Sequence, residues 1–247
     1  MNEVIVYLLA IATAEMVTVF LQPLWGIVAH IAILVTVIMR SARTADRPQR
    51  QLVLALALVP LTRVVSLSMP LADIPQIWWY PIMYGPLAIA AVVIMRILGY
   101  GRGDVGLNLS LSSLPVQLAI GLTGFGFGVA EYHILKPEVW VYHFTWSELW
   151  LPALVLGACT GFVEEFIFRG VLQRSAWERF GWGGLIYVSV IFAVLHVGFL
   201  SWIDIIFVFG VALFFAWVVK RTRSLLGVTL AHALTNITLY LIAPFLF

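Results

Sequence analysis

The chain has 247 residues, 62% of them hydrophobic and only 11% charged, with 14 Lys and Arg against 12 Asp and Glu for a formal net charge of +2. Together with a mean hydropathy of +1.03, this excludes a water-soluble domain and makes the lipid bilayer the first expected partner; no nucleic-acid partner is expected. Hydrophobic runs recur at lengths near the ~20 residues that carry a helix across the hydrocarbon core, whereas a barrel would alternate polar and apolar residues over about ten. The expected fold class is therefore all-α, a polytopic transmembrane helix bundle of about eight to nine segments. A single cysteine, Cys159, rules out an intramolecular disulfide and a Cys-based zinc site.

At the N-terminus, Val4 to Ala14 followed by Glu15 imitates a signal peptide with an Ala12-Thr13-Ala14 cleavage site. The expected reading is instead a retained helix, since Met-Asn-Glu supplies no Lys or Arg and the apolar run continues to Leu21. Nine runs follow in order: Val4–Leu21, Leu24–Met39, Leu52–Ser68, Trp78–Met95, Leu114–Tyr132, Leu149–Leu172, Gly184–Val197, Ile203–Val219 and Leu225–Phe247. The second is short and joined to the first by Gln22-Pro23 alone, so these two could form a hairpin that does not cross fully. The chain reads as one domain, 1–247, with helices that carry no recognisable motif in 1–112 and the chemistry-bearing helices in 113–247.

Eleven of the fourteen basic residues fall in alternate loops: Arg40, Arg43, Arg47 and Arg50, then Arg96 and Arg102, then Arg174 and Arg179, then Lys220, Arg221 and Arg223. The excess of positive charge in cytoplasmic loops then predicts a cytoplasmic N-terminus, an external C-terminus and an odd number of crossings, in a plasma or inner membrane. Leu98 to Ser113, with four glycines, reads as a polar linker before the second half. Trp140, Tyr142, Trp146 and Trp150, in the stretch Leu135–Trp150, read as rings lying at headgroup level rather than as a substrate-binding cap.

An ionisable residue inside a span costs about 2.5–3.5 kcal/mol on insertion scales, so each is a functional candidate. Glu15 and Arg63 are expected to pair between the first and third spans. Glu164 and Glu165 stand side by side in an apolar helix, a costly arrangement unless one is neutralised. Glu165 and Arg169 are four apart and share a helix face, while Glu164 points about 100° away. Glu165 is therefore expected to be the structural carboxylate, supported by Arg169, and Glu164 the one left without a partner.

His196 closes Phe192-Ala-Val-Leu-His196, and His232 opens His232-Ala-Leu-Thr-Asn236, where the i,i+4 spacing puts imidazole and carboxamide on one face. At 1.5 Å per residue, Glu164 lies roughly 15 Å from Arg174, His196 roughly 18 Å from Gly184 and His232 roughly 14 Å from Arg223. All are measured from one side of a ~30 Å core, so these residues share a depth and can meet. The spacings Gly157-xxx-Gly161 and Gly124-xxx-Gly128 would admit a neighbouring backbone closely.

A carboxylate beside an imidazole, with separate donors opposite, suits hydrolysis of an acyl bond by water. Glu164 would act as general base, with His196 orienting the water, and would return the proton to the leaving amine. His232 and Asn236 would donate to the developing oxyanion. A metal-dependent hydrolase is the first alternative, because Glu164, His196 and His232 are also acceptable zinc ligands. A proton-coupled transporter using Glu and His as a relay is a second. A non-catalytic immunity or scaffold protein that keeps the fold is a third.

Glu164-Glu165-xxx-Arg169, Phe192-xxx-His196 and His232-xxx-Asn236, in this order on late membrane helices, resemble the three motifs of the CPBP family, which includes type II CAAX prenyl endopeptidases and bacteriocin-processing or immunity proteins. The resemblance covers about Leu149–Phe247. It implies an intramembrane glutamate-dependent peptidase without metal or other cofactor, in which Glu164 and His196 activate water and His232 with Asn236 form the oxyanion hole. The implied partner is a peptide or membrane-protein substrate, prenylated substrates among the candidates.

Overall fold

The computed structural model describes residues 2–108 and 110–247, and among them nine helices are long and apolar enough to cross a membrane. They are α1 (Glu3–Phe20), α2 (Pro23–Arg43), α3 (Arg47–Ser68), α4 (Gln76–Ile97), α5 (Leu111–Leu135), α6 (Trp146–Phe180), α7 (Trp182–Phe199), α8 (Trp202–Thr222) and α9 (Leu226–Leu246). No strand occurs among the described residues, as a chain that must satisfy its backbone within each lipid-facing segment requires. The protein is an integral, multi-pass membrane protein.

The short second run resolves into a full-length helix. With 21 residues, α2 reaches about 31 Å at 1.5 Å per residue, enough for a ~30 Å core. Its apolar run is extended by one polar turn through Arg40 and Arg43, and Pro23 opens it where the missing N–H is not needed. Arg40 Nε then donates to Glu3 of α1 at 2.5 Å.

Four helices depart from regular winding; in α9 it is Thr238–Ile242, just after Asn236, that is π-helical. In α3 the helix is interrupted at Ala57, between Arg47–Leu56 and Leu58–Ser68. Pro60 explains the position, because it has no N–H for the Leu56 carbonyl and its ring crowds that group. The long α6 widens to π-helical winding over Gly157–Glu164 and Phe166–Leu172, between α-helical ends. The α-helical angles expected of this segment therefore do not describe it throughout, and such π segments tend to occur at functional sites. The regular part of α7 ends at Val194, and a 3₁₀ turn Val197–Phe199 leads to Leu200 at φ 56°. His196 thus sits in the turn that closes α7, not within a continuous helix through Val197. The chain re-enters α8 at Ser201, whose hydroxyl accepts from the Asp204 N–H.

Glycine spacing sets the closest helix contacts. A Cβ added at Gly124 of α5 would stand 2.1 Å from the Ala231 carbonyl oxygen of α9, and one at Gly128 would stand 2.5 Å from that of Thr235. A Cβ at Gly161 of α6 would lie 2.9 Å from the Ala233 Cβ on another side of α9. Backbone approach of this kind is how small residues drive packing where lipid removes the hydrophobic difference between inside and outside. α9 is wedged between α5 and α6, which fixes the height of His232 and Asn236 relative to Glu164.

The linker between the halves is seated: Leu225 N–H donates to the Gly106 carbonyl at 2.9 Å and Ser224 Oγ to that of Asn108. The aromatic stretch before α6 behaves in two ways. Tyr142 and Trp146 are exposed, but Trp140 stacks on Tyr240 with centroids 4.8 Å apart and packs at a tilt against Tyr80 at 5.2 Å. Trp140 therefore packs into the bundle, unlike its exposed neighbours Tyr142 and Trp146.

We expect Gly124→Val to destabilise the protein by more than the 1–3 kcal/mol typical of overpacking, because the obstructing atom is backbone. Gly126→Val, at a position with no neighbour within 4 Å, should be close to neutral. Thermal aggregation curves of the two purified variants check this contrast.

Candidate active site

Glu165 and Arg169 are the innermost pair, with side chains 0% and 1% exposed. Arg169 Nη1 donates to Glu165 Oε1 at 3.1 Å, and its guanidinium lies 4.3 Å from the centroid of the Phe192 ring, a stacking arrangement open to arginine's planar cation. The same Glu165 oxygen meets His232 Nδ1 at 2.7 Å. A carboxylate paired to arginine only accepts, so Nδ1 of His232 carries the proton and Nε2 faces away from Glu165. That Nε2 stands 3.8 Å from Glu164 Oε2.

Glu164 is part-exposed to a cavity, its side chain 17% accessible. The sequence expectation left it without a partner, but Tyr84 of α4 donates its hydroxyl to Glu164 Oε1. Eighty residues separate the two, and only folding brings them together. Tyr80, one helical turn earlier, stacks parallel to Tyr84 with centroids 6.2 Å apart. Two tyrosines at i,i+4 within one apolar run were the available sequence signal for this wall.

His196 Nδ1 donates to the Phe192 carbonyl at 2.8 Å. A carbonyl only accepts, so the neutral ring has its proton on Nδ1 and offers Nε2 as an acceptor. The interrupted end of α7 makes this possible, since the ring caps the last turn. On α9, one turn after His232, Asn236 Nδ2 donates to Thr160 Oγ1 at 2.8 Å, and Thr160 in turn donates to the Leu156 carbonyl at 2.7 Å. One amide N–H of Asn236 is committed to Thr160, and its second has no protein acceptor among the described residues.

Glu164, His196, His232 and Asn236 line one cavity of about 240 Å³. Its wall also includes Tyr84, Glu131 and Arg63, which the motif reading did not place there. Arg63 is the residue expected to pair with Glu15, and it does so, with Nε 2.6 Å from Glu15 Oε1. His30 Nε2 lies 3.0 Å from the same oxygen. Cys159 is a buried free thiol in the π segment. No three His, Cys, Asp or Glu side chains among the described residues stand where they could hold one metal ion.

Removing either member of the innermost pair strands its partner. Glu165→Ala or Arg169→Ala should cost about 3–5 kcal/mol and lower the yield of folded protein as well as any activity. Normal expression and detergent stability with loss of activity alone would contradict this structural role.

Residues 145–238 match the family model described as Rce1-like: Type II CAAX prenyl endopeptidase Rce1-like. The match spans Glu164, Glu165, Arg169, His196, His232 and Asn236, and supports membership of the CPBP family, in agreement with the resemblance of the three motifs. The family is one of membrane proteases, whose substrates are peptides or proteins. No curated protein and no solved structure matches the chain.

Proposed function

We propose that this membrane protease hydrolyses a peptide bond within its bundle by direct attack of water, with Glu164 as general base. The observation that carries the reading is the division of labour between adjacent carboxylates: Glu165 is sealed between Arg169 and His232, while Glu164 opens to the cavity. A water held between Glu164 and the acceptor Nε2 of His196 would lose its proton to Glu164 as it attacks the carbonyl carbon. Glu164 would then pass that proton to the leaving amine.

His232 and Asn236 are assigned to the oxyanion. Asn236 offers its second amide N–H, oriented by Thr160. With Nδ1–H bound to Glu165, His232 can donate from Nε2 only as the imidazolium. Such donors, fixed before the reaction begins, match charge that develops only in the transition state. Tyr84 would hold the Glu164 carboxylate in the attacking orientation. The mechanism uses no metal. The substrate is a peptide or membrane-protein segment, with prenylated C-termini among the candidates, and the N-terminus is assigned to the cytoplasmic side.

Glu164→Gln should abolish cleavage and leave a folded, membrane-inserted protein; turnover at the wild-type rate in the purified variant would remove the base assignment. Asn236→Ala should lower kcat by about 10²–10³ with little change in substrate affinity. Prolonged chelator treatment of the purified enzyme should leave the rate unchanged, and loss of activity restored by added zinc would favour a metal mechanism. New termini appearing in membrane proteomes with the wild type but not with Glu164→Gln identify the substrate.

A further inference from the structure

Arg63 lies outside the family match, on α3, yet shares the cavity wall with Glu164 and the two histidines. Two arginines line this cavity. Arg169 is 1% exposed, committed to Glu165 and stacked on Phe192. Arg63 is 19% exposed, and its hydrogen bonding is incomplete in a particular way. Glu15 takes its Nε alone, through Oε1, while Glu15 Oε2 accepts no hydrogen bond from the described residues. The pair is single-pronged where guanidinium and carboxylate commonly join through two parallel bonds. His30 Nε2 also lies 3.0 Å from that Oε1. The two Nη nitrogens of Arg63 have no acceptor among the described residues, and their side chain borders the cavity.

A planar fork of N–H donors held at one edge by a buried carboxylate is built to take a second carboxylate at the other. We propose that Arg63 is the anchor for a carboxylate of the substrate peptide, and that this contact sets which peptides are cut. The proposal rests on the peptidase reading of the same cavity. A free α-carboxylate at the peptide C-terminus and an acidic side chain near the cut share this chemistry. In a cavity of about 240 Å³, the anchored carboxylate and the scissile bond lie within a few residues of one another. Glu15 is then a positioning residue: it holds the guanidinium by Nε and turns the remaining donors inward.

The test uses the full chain in lipid nanodiscs and fluorescein-labelled S-farnesylcysteine tetrapeptides in three forms: free acid, C-terminal amide, and amide with Asp as the last residue. Binding is read by anisotropy in the Glu164→Gln background, so that turnover does not intervene, and cleavage in the chain with Glu164 intact. The free acid should bind about 10–100-fold more tightly than the plain amide, the range expected of a charge-assisted contact. Tight binding of the Asp amide as well would identify any nearby carboxylate as sufficient, and weak binding would assign the site to the C-terminus. Arg63→Met should weaken the free acid by that factor and leave the plain amide unchanged, and in cleavage should raise KM rather than lower kcat. Because Arg63→Met strands Glu15, Glu15→Gln/Arg63→Met is made beside it, and Arg63→Lys, which keeps the charge and loses the fork, should fall between. Equal binding of acid and amide by the parent chain, no binding of the free acid, or an equal loss for all three peptides on Arg63→Met overturns the proposal. Failure of the peptidase reading looks different: acid-selective binding would persist with no cleavage of any peptide.

Discussion

The double hydrogen bond to Glu165 Oε1, from Arg169 at 3.1 Å and His232 at 2.7 Å, is the contact on which the cavity depends. Two neighbouring carboxylates in a hydrocarbon-embedded helix repel one another and each lacks hydration. Sealing Glu165 with a cation and an imidazole removes one from the problem and leaves Glu164 to face open space. The same bond fixes the tautomer of His232 and so decides which of its nitrogens reaches the cavity. A structural ion pair thereby orients the groups assigned to chemistry.

Backbone shape is the second requirement. The π segments of α6 carry Thr160, Glu164 and Arg169, with Glu165 at the junction between them. Thr160 hydrogen-bonds to Asn236 and Glu165 to His232, so α6 meets α9 at two heights. Glycines at 124, 128 and 161 let α9 approach both flanking helices at backbone distance. A rigid wedge suits a site whose donors must already point at a transition state, since reorganisation at the moment of reaction would offset their effect.

The first half of the chain carries no family motif but completes the cavity. Tyr84 reaches Glu164, and Arg63 arrives with its buried partner Glu15, beside which His30 lies. Membrane insertion makes each of these polar groups costly, so their presence across the four N-terminal helices argues for a role in the shared cavity as well as for helix association. Motifs in the second half would supply reaction chemistry common to a family, while the first half shapes what can enter.

Composition and run length alone determined the membrane bundle, because a helix must pair its backbone internally and about 20 apolar residues suffice to cross. Local spacing was also legible: Glu165 with Arg169 four residues on, Glu15 as a buried charge needing Arg63, and glycines at i,i+4 that admit a backbone. The short second run was ambiguous because hydropathy does not count a polar last turn, and Arg40 and Arg43 lengthen α2. Other features belonged to the tertiary structure. The π winding of α6 and the end of α7 before His196 depend on how those helices meet their neighbours. Tyr84 on Glu164 and Thr160 on Asn236 are contacts over 80 and 76 residues, and Arg63 shares its cavity wall with residues of α6, α7 and α9, which no periodicity records. A sequence shows which polar groups need a partner, but only the packed bundle decides which partner each one finds and which atoms are left facing the cavity.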